Sequence, residues 1–244
     1  MSVYENIAEK YDERYAEKDF AHVAKYLRQF SSAEKALEIG CGTFHWSEIF
    51  KRNVFGVDAS LEMLKHAKTK GFRICAFAEN LPFANSLFDF VYIVNALHQF
   101  ENKLSALQEA FRVMKSGGTF ALVIPDFHSA DFNWYVYEYF PQTYKRDLKR
   151  FPSKTEILQM LSDVGFENMS AEVIHVSKNV FRGENVFNDK FLKKHNTSQL
   201  AALSDKEYEG GIEKIKRAIA ENPAVRFYVN IPSLGIVASK SFDT

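Results

Sequence analysis

The chain is expected to be an α/β protein built on a mostly parallel sheet, and three observations point to it. From Lys35 to Ile124, short apolar runs of strand length alternate with segments of helical period. That order specifies parallel strands joined by right-handed crossovers. Gly40 and Gly42 lie between the first strand and the next helical segment, where a missing Cβ lets backbone pass close to a ligand. A second strand ends at Asp58, sixteen residues past Gly42, and an acid there can accept both hydroxyls of a ribose.

The elements follow in order. Residues Val3 to Phe30 read as one or two amphipathic helices, with Tyr4, Ile7, Ala8 and Tyr11 on one face. Lys35–Ile39 is strand one, His45–Phe50 opens a helix, and Val54–Val57 is strand two. Ser60 can cap a helix running to about Lys70. Arg73–Phe77 and Phe90–Val94 are strands three and four, Asn102 can cap a helix to Val113, and Thr119–Ile124 is strand five. Beyond Pro125 the chain turns irregular and aromatic, most densely from Phe132 to Phe140. Ser153-Lys154-Thr155-Glu156 has capping-box spacing and opens a helix that Gly165 can stop. Met169–Val176 is strand six. A second capping box, Ser204 to Glu207, opens a helix ending near Asn222-Pro223. Phe227–Ile231 and Leu234–Ser239 read as extended segments interrupted by Pro232. About 50 residues separate strand six from them, where a short turn would suffice. The expected organisation is an N-terminal helical cover over 1–30, a core over 31–180, a helical cap over 181–224 and a final strand within 225–244.

Composition narrows the function. At 244 residues, 46% of them hydrophobic, the chain can fill one large core or a core and a cap. Lys and Arg balance Asp and Glu at 31 each, which argues against an electrostatic nucleic-acid binder. The basic run Lys145–Arg150 reads as a solvated surface. No run approaches the roughly 18 apolar residues of a membrane span, and the charged stretch Met1–Asp19 is no secretory signal. Cys41 and Cys75 have neither metal nor redox spacing, and seven histidines form no zinc pattern. A reduced, cytoplasmic protein without a metal is expected. Cys41 reads as a small residue in a tight loop rather than a nucleophile. The 23 phenylalanines and 11 tyrosines can line a pocket for a flat or apolar ligand, or simply pack a helix on the sheet.

A dinucleotide fingerprint would need glycine at position 45, where His45 stands, and the Lys-Ser/Thr ending of a P-loop is absent. The remaining pattern, Glu38-Ile39-Gly40-Cys41-Gly42, resembles the S-adenosylmethionine (SAM) loop of class I methyltransferases. Val57–Leu64, Ala78–Phe83, Phe88–Tyr92, Asn95–His98 and Val113–Phe120 are similar to that family's later motifs, in order. The small-molecule subgroup related to quinone-biosynthesis enzymes is the nearest in pattern. The resemblance implies a Rossmann-like class I methyltransferase fold, a mostly parallel seven-stranded sheet with an antiparallel last strand, with the cap added to it. It implies SAM as cofactor, touched by Glu38, Gly40, Gly42, Asp58, Ala59, Met63, Ala78, Glu79, Asn95 and Tyr11. It also implies a small-molecule acceptor, with neither nucleic acid nor membrane as partner.

Two positions depart from the pattern. Phe77 stands where the family often has Asp, and Phe44 stands where it has its third loop glycine. Phe44 either crowds the methionine end of the cofactor or turns away to pack. A non-catalytic SAM-binding regulator is therefore the alternative function. Asp58 also has a second reading, as a helix N-cap. His98, just after strand four, is the candidate catalytic acid–base group, its other reading being part of a wall.

Overall fold

The computed structural model describes residues 20–50, 53–67 and 69–242. Tyr4, Ile7, Ala8 and Tyr11, expected on the N-terminal cover, lie outside them. Five strands, β1 (Ala36–Ile39), β2 (Val54–Asp58), β3 (Phe72–Cys75), β4 (Phe88–Val94) and β5 (Met114–Pro125), pair in parallel in the order β3-β2-β1-β4-β5. The order reverses between β1 and β4. At such a switch point the loops leaving neighbouring strands diverge and open a crevice.

The second half completes the sheet. A two-residue strand, β6 (Asn133–Trp134), precedes two long ones, β7 (Glu167–Arg182) and β8 (Arg226–Ser239). β8 runs antiparallel between β5 and β7, as expected for the last strand. The sheet has eight strands rather than seven because β6 pairs with the part of β8 that outruns β5. The two extended segments around Pro232 are one continuous strand. Pro232 is tolerated because it stands where β5 ends: its carbonyl accepts from the Asp126 amide (2.8 Å), and its missing N–H would face the gap between β5 and β6. Strand six likewise continues past Val176 to Arg182.

Helices α1 (Ala21–Leu27), α2 (Leu61–Lys65), α3 (Lys103–Val113), α4 (Val136–Tyr139), α5 (Pro141–Arg150), α6 (Lys154–Val164), α7 (Ser198–Ala201) and α8 (Asp205–Glu221) dress the sheet. Side-chain caps set several of their starts: Asn102 Oδ1 accepts from the Ser105 amide, and Ser153 and Ser204 each form a full capping box. Gly165, at φ 104°, stops α6. Two expected helices differ. The one after Ser60 ends at Lys65, not near Lys70, because Arg73 of β3 bonds the carbonyls of Ala67 and Leu64 and closes the turn. His45–Ile49 is 3-10 rather than α, since the Phe44 carbonyl takes the hydroxyls of Ser47 and Thr69. Among the described residues no helix is long and apolar enough to cross a membrane.

Alternation along each strand builds two cores. Leu37, Ile39, Val91, Ile93 and Leu122 face α3 and α6, while Ala36, Val54, Phe90, Tyr92 and Val123 face α1 and the glycine loop. A third core is separate. Tyr135, Val136, Phe140, Leu200, Ile215 and Phe227 meet beneath α8.

Candidate active site

Above the ends of β1, β2 and β4 lies a cleft of about 510 Å³. Gly40 (φ 72°) and Gly42 (φ 54°) bend the first loop through the left-handed region that β-carbons disfavour. A Cβ on Gly40 would come within 2.5 Å of the Ala96 Cβ and 3.2 Å of the Phe100 ring. The space at this glycine is therefore used first by the loop after β4, not by a ligand. Asp58 anchors the loop: its two carboxylate oxygens accept from the amides of Gly42 (2.8 Å) and Ser60 (2.9 Å). The helix cap proper is Ser60, whose hydroxyl accepts from the Met63 amide. Each Asp58 oxygen keeps a further lone pair. Burial pushes its pKa up, against those two amides.

Glu38 lies on the floor of the cleft, 1% exposed, and accepts from the Tyr92 hydroxyl at 3.2 Å. Burial holds its pKa well above the usual range. Burial, with Glu38 and Asp58 nearby, also raises the Cys41 thiol, which keeps it protonated and unlike a nucleophile. Ala59, Met63 and Ala78 supply apolar wall. The Glu79 carboxylate, on the same cleft, accepts from the Asn102 amide (3.1 Å).

Phe44 turns away. It holds the left-handed backbone of the glycine it replaces (φ 59°), and its ring is fully buried. The ring fills a slot left open by two other glycines: a Cβ on Gly56 or Gly71 would come within 2.6 or 2.5 Å of it. Gly56 interrupts strand two, and a glycine inside a strand marks close approach; that was the available signal.

A second cavity, about 600 Å³, opens between the ends of β4 and β5 and the chain from Phe181 to Gln199. Phe127, Trp134, Phe151, Phe181 and Phe191 line it, and so does His98. The His98 ring stacks on Phe151 at 3.8 Å between centroids and is 7% exposed. Asn95 lines both this cavity and the cleft. It ends β4 at φ 51°, its amide bonded to the Val123 carbonyl (2.8 Å).

Several residues here escaped the sequence. The basic run on α5 is not simply solvated. Lys145 and Lys149 are exposed, but Arg146 donates to the Gln199 carbonyl (2.5 Å) and Arg150 reaches Asp147, Gln99 and Ser198. Asp147 is fully buried and also accepts from the Tyr137 hydroxyl (2.8 Å). The hint was an acid inside a basic run at i, i+3 spacing to Arg150.

With a switch-point cleft, an acid ending β2 and an antiparallel β8 inside a parallel sheet, comparison with known proteins decides the family. Residues 37–122 match the Methyltransferase domain family. A Methanocaldococcus jannaschii protein of uncharacterized role is 33% identical over 174 residues, 70% of this chain and 84% of its own length. A demethylmenaquinone methyltransferase from Listeria welshimeri is 26% identical over 202 residues, 67% of this chain and 86% of its own. The chain belongs to the class I SAM-dependent methyltransferases. Phosphoethanolamine N-methyltransferase 2 of Haemonchus contortus, solved with SAM bound, has the same fold: 16% identity, TM-score 0.61, over 97% of this chain and 57% of that one. The cofactor of this methyltransferase is SAM, and the cleft suits it. Asp58 retains acceptor capacity for two hydroxyls, Met63 and Ala78 offer a flat apolar wall, and the volume falls in the range of small-ligand sites.

Proposed function

We propose that this methyltransferase acts on a small, flat, largely apolar molecule held in the cap cavity. One observation carries the reading: the cleft and the aromatic cavity share Asn95, at the carboxyl end of β4. Bound SAM supplies an electrophilic methyl group on a sulfonium centre. The chain's own contribution is to hold two partners in line, an effect worth roughly 7–11 kcal/mol. In this reading Asp58 takes the ribose, Gly40 and Gly42 shape the loop around the cofactor, and Ala59, Met63, Ala78 and Glu79 flank the adenine. Glu38 and Asn95 border the reactive end, and Tyr11 would close the site from the N-terminal cover over 1–30. The core over 31–180 and the final strand within 225–244 carry the cleft, and the cap over 181–224 excludes water from the acceptor. His98, on the cavity side, contacts the acceptor. A cytoplasmic setting agrees with an exposed free Cys75. The non-catalytic alternative loses its motive, because Phe44 packs away from the cleft.

The test uses labelled SAM and fractionated metabolites. Transfer to a small aromatic compound is expected, and Trp134→Ala should lower it at least tenfold while SAM affinity stays within about twofold. Transfer only to protein or nucleic acid would refute the reading.

A further inference from the structure

His98 and Gln99 stand side by side in the chain but face different spaces. His98 lines the cap cavity and Gln99 lines the cleft. Their side chains nevertheless touch: the Gln99 amide nitrogen meets His98 Nε2. Which of the two nitrogens donates is decided from outside the pair. Arg150 Nη2 donates to Gln99 Oε1 at 3.1 Å. A guanidinium has donors only, so the oxygen of the amide must face it. The NH2 group must then face His98, and an NH2 can only donate. Its partner, Nε2, must therefore be the bare nitrogen of the ring, and the ring proton must be on Nδ1.

Arg150 is itself held. Its Nη1 lies 3.4 Å from Asp147 Oδ1, and the other Asp147 oxygen takes the Tyr137 hydroxyl. The guanidinium is also over the Phe151 ring, 5.8 Å from its centroid, and His98 stacks on that same ring. Turning the Gln99 amide over would set an NH2 against a guanidinium and lose the bond from Arg150, whichever tautomer the ring then took.

We infer that Gln99, oriented by Arg150, is a positioning residue that locks His98 as the Nδ1–H tautomer with its Nε2 lone pair already engaged. The consequence for transfer rests on the function proposed above, whereas the tautomer does not. With Nε2 occupied by a donor, the ring cannot take up an acceptor's proton there without breaking the Gln99 contact. His98 then does not serve the reaction as a base at Nε2. An acceptor atom that needs no deprotonation suits such a site.

The test needs no methyl acceptor. The full chain, labelled with 15N-histidine, is studied by long-range proton–nitrogen correlation near neutral pH, with His98 assigned through its backbone neighbours. Expected are a protonated Nδ1 and a bare Nε2 at His98. Gln99→Glu presents Nε2 with an oxygen instead of an NH2, so a proton should appear on Nε2. Arg150→Met should relax the lock and yield a mixture of tautomers. His98 with a protonated Nε2 in the parent chain overturns the inference, and so does a spectrum that Gln99→Glu leaves unchanged in a folded protein. If the tautomer is as expected and no small-molecule transfer is found, the proposed function fails and the lock stands.

Discussion

The cleft and the cap cavity are close in size, about 510 and 600 Å³, but they are assembled differently. The cleft draws on residues between Glu38 and Glu101, most of them in loops directly after β1, β2 and β4. Its shape comes from backbone: two left-handed glycines, a left-handed Asn95, and amides tied to Asp58. The cavity draws on residues from Phe20 to Ser233, and its shape comes from side chains, polar ones together with the rings of Phe20, Phe127, Trp134, Phe151, Phe181 and Phe191. A site defined by backbone tolerates little local change. One defined by packed rings depends on a separate core staying folded, and here that is the cluster beneath α8.

If the two regions are separable, damage to one should spare the other. The largest effect is expected at Asp147. Asp147→Ala leaves the Tyr137 hydroxyl and Arg150 without their buried carboxylate, and breaking such a pair costs about 3–5 kcal/mol. Melting should drop by many degrees while SAM affinity, read by calorimetry below the transition, stays within about twofold. A parallel loss of SAM binding would show that the cap and the cleft form one unit.

Phe44→Gly reverses the experiment, since it strikes the core behind the cleft. Emptying a buried phenylalanine site costs about 3–5 kcal/mol, and relief of the left-handed backbone returns roughly 1–2 kcal/mol. A net loss of about 1–4 kcal/mol in denaturant unfolding is expected, without tighter SAM binding. Tighter binding in this variant would mean that the ring reaches the cofactor after all.

Asp58→Ala tests the cleft itself. Charge-assisted bonds to hydroxyls are worth about 1.5–3 kcal/mol each, so SAM affinity should fall at least tenfold. The amides of Gly42 and Ser60 lose their acceptor too, and the loop should exchange amide protons faster. Unchanged affinity removes Asp58 from the site.

The finest test is a slope. Burial raises Glu38 well above its ordinary 4.5. From about that pH up to the raised value, the folded chain keeps a proton that the unfolded chain has lost, so stability falls as pH rises through the window. Asp58 is shifted in the same direction. Glu38→Gln removes one of the two ionisations, and stability should decline less steeply with pH above 4.5. Superimposable slopes for parent and variant would place Glu38 in a wetter environment than the fold implies.

Much of the cleft was legible because its causes are local. Left-handed turns favour glycine, a strand end followed by Asp58 and Ser60 turns into a capped helix, and Ser153 and Ser204 announce their helices within four residues. The direction of Phe44 was not legible, since it depends on Gly56 and Gly71 leaving a slot that forms only when β2 and the chain before β3 come together. Nor was the inward turn of Arg146 and Arg150, since a basic run reads as surface until α5 is docked on Gln99 and on α7, which carries Gln199. The eighth strand was hidden for the same reason, because Asn133 and Trp134 are a strand only beside the overhang of β8. What the sequence determined by itself were features whose free energy lies within one or two turns of chain: periodicity, caps, glycine bends and the order of motifs. What the tertiary structure decided were features whose partners lie beyond the reach of local chain: which side a ring faces, where a guanidinium ends, and on which nitrogen of His98 the proton rests. Contacts that distant have no period and leave no local signature, and only the closed fold selects among them.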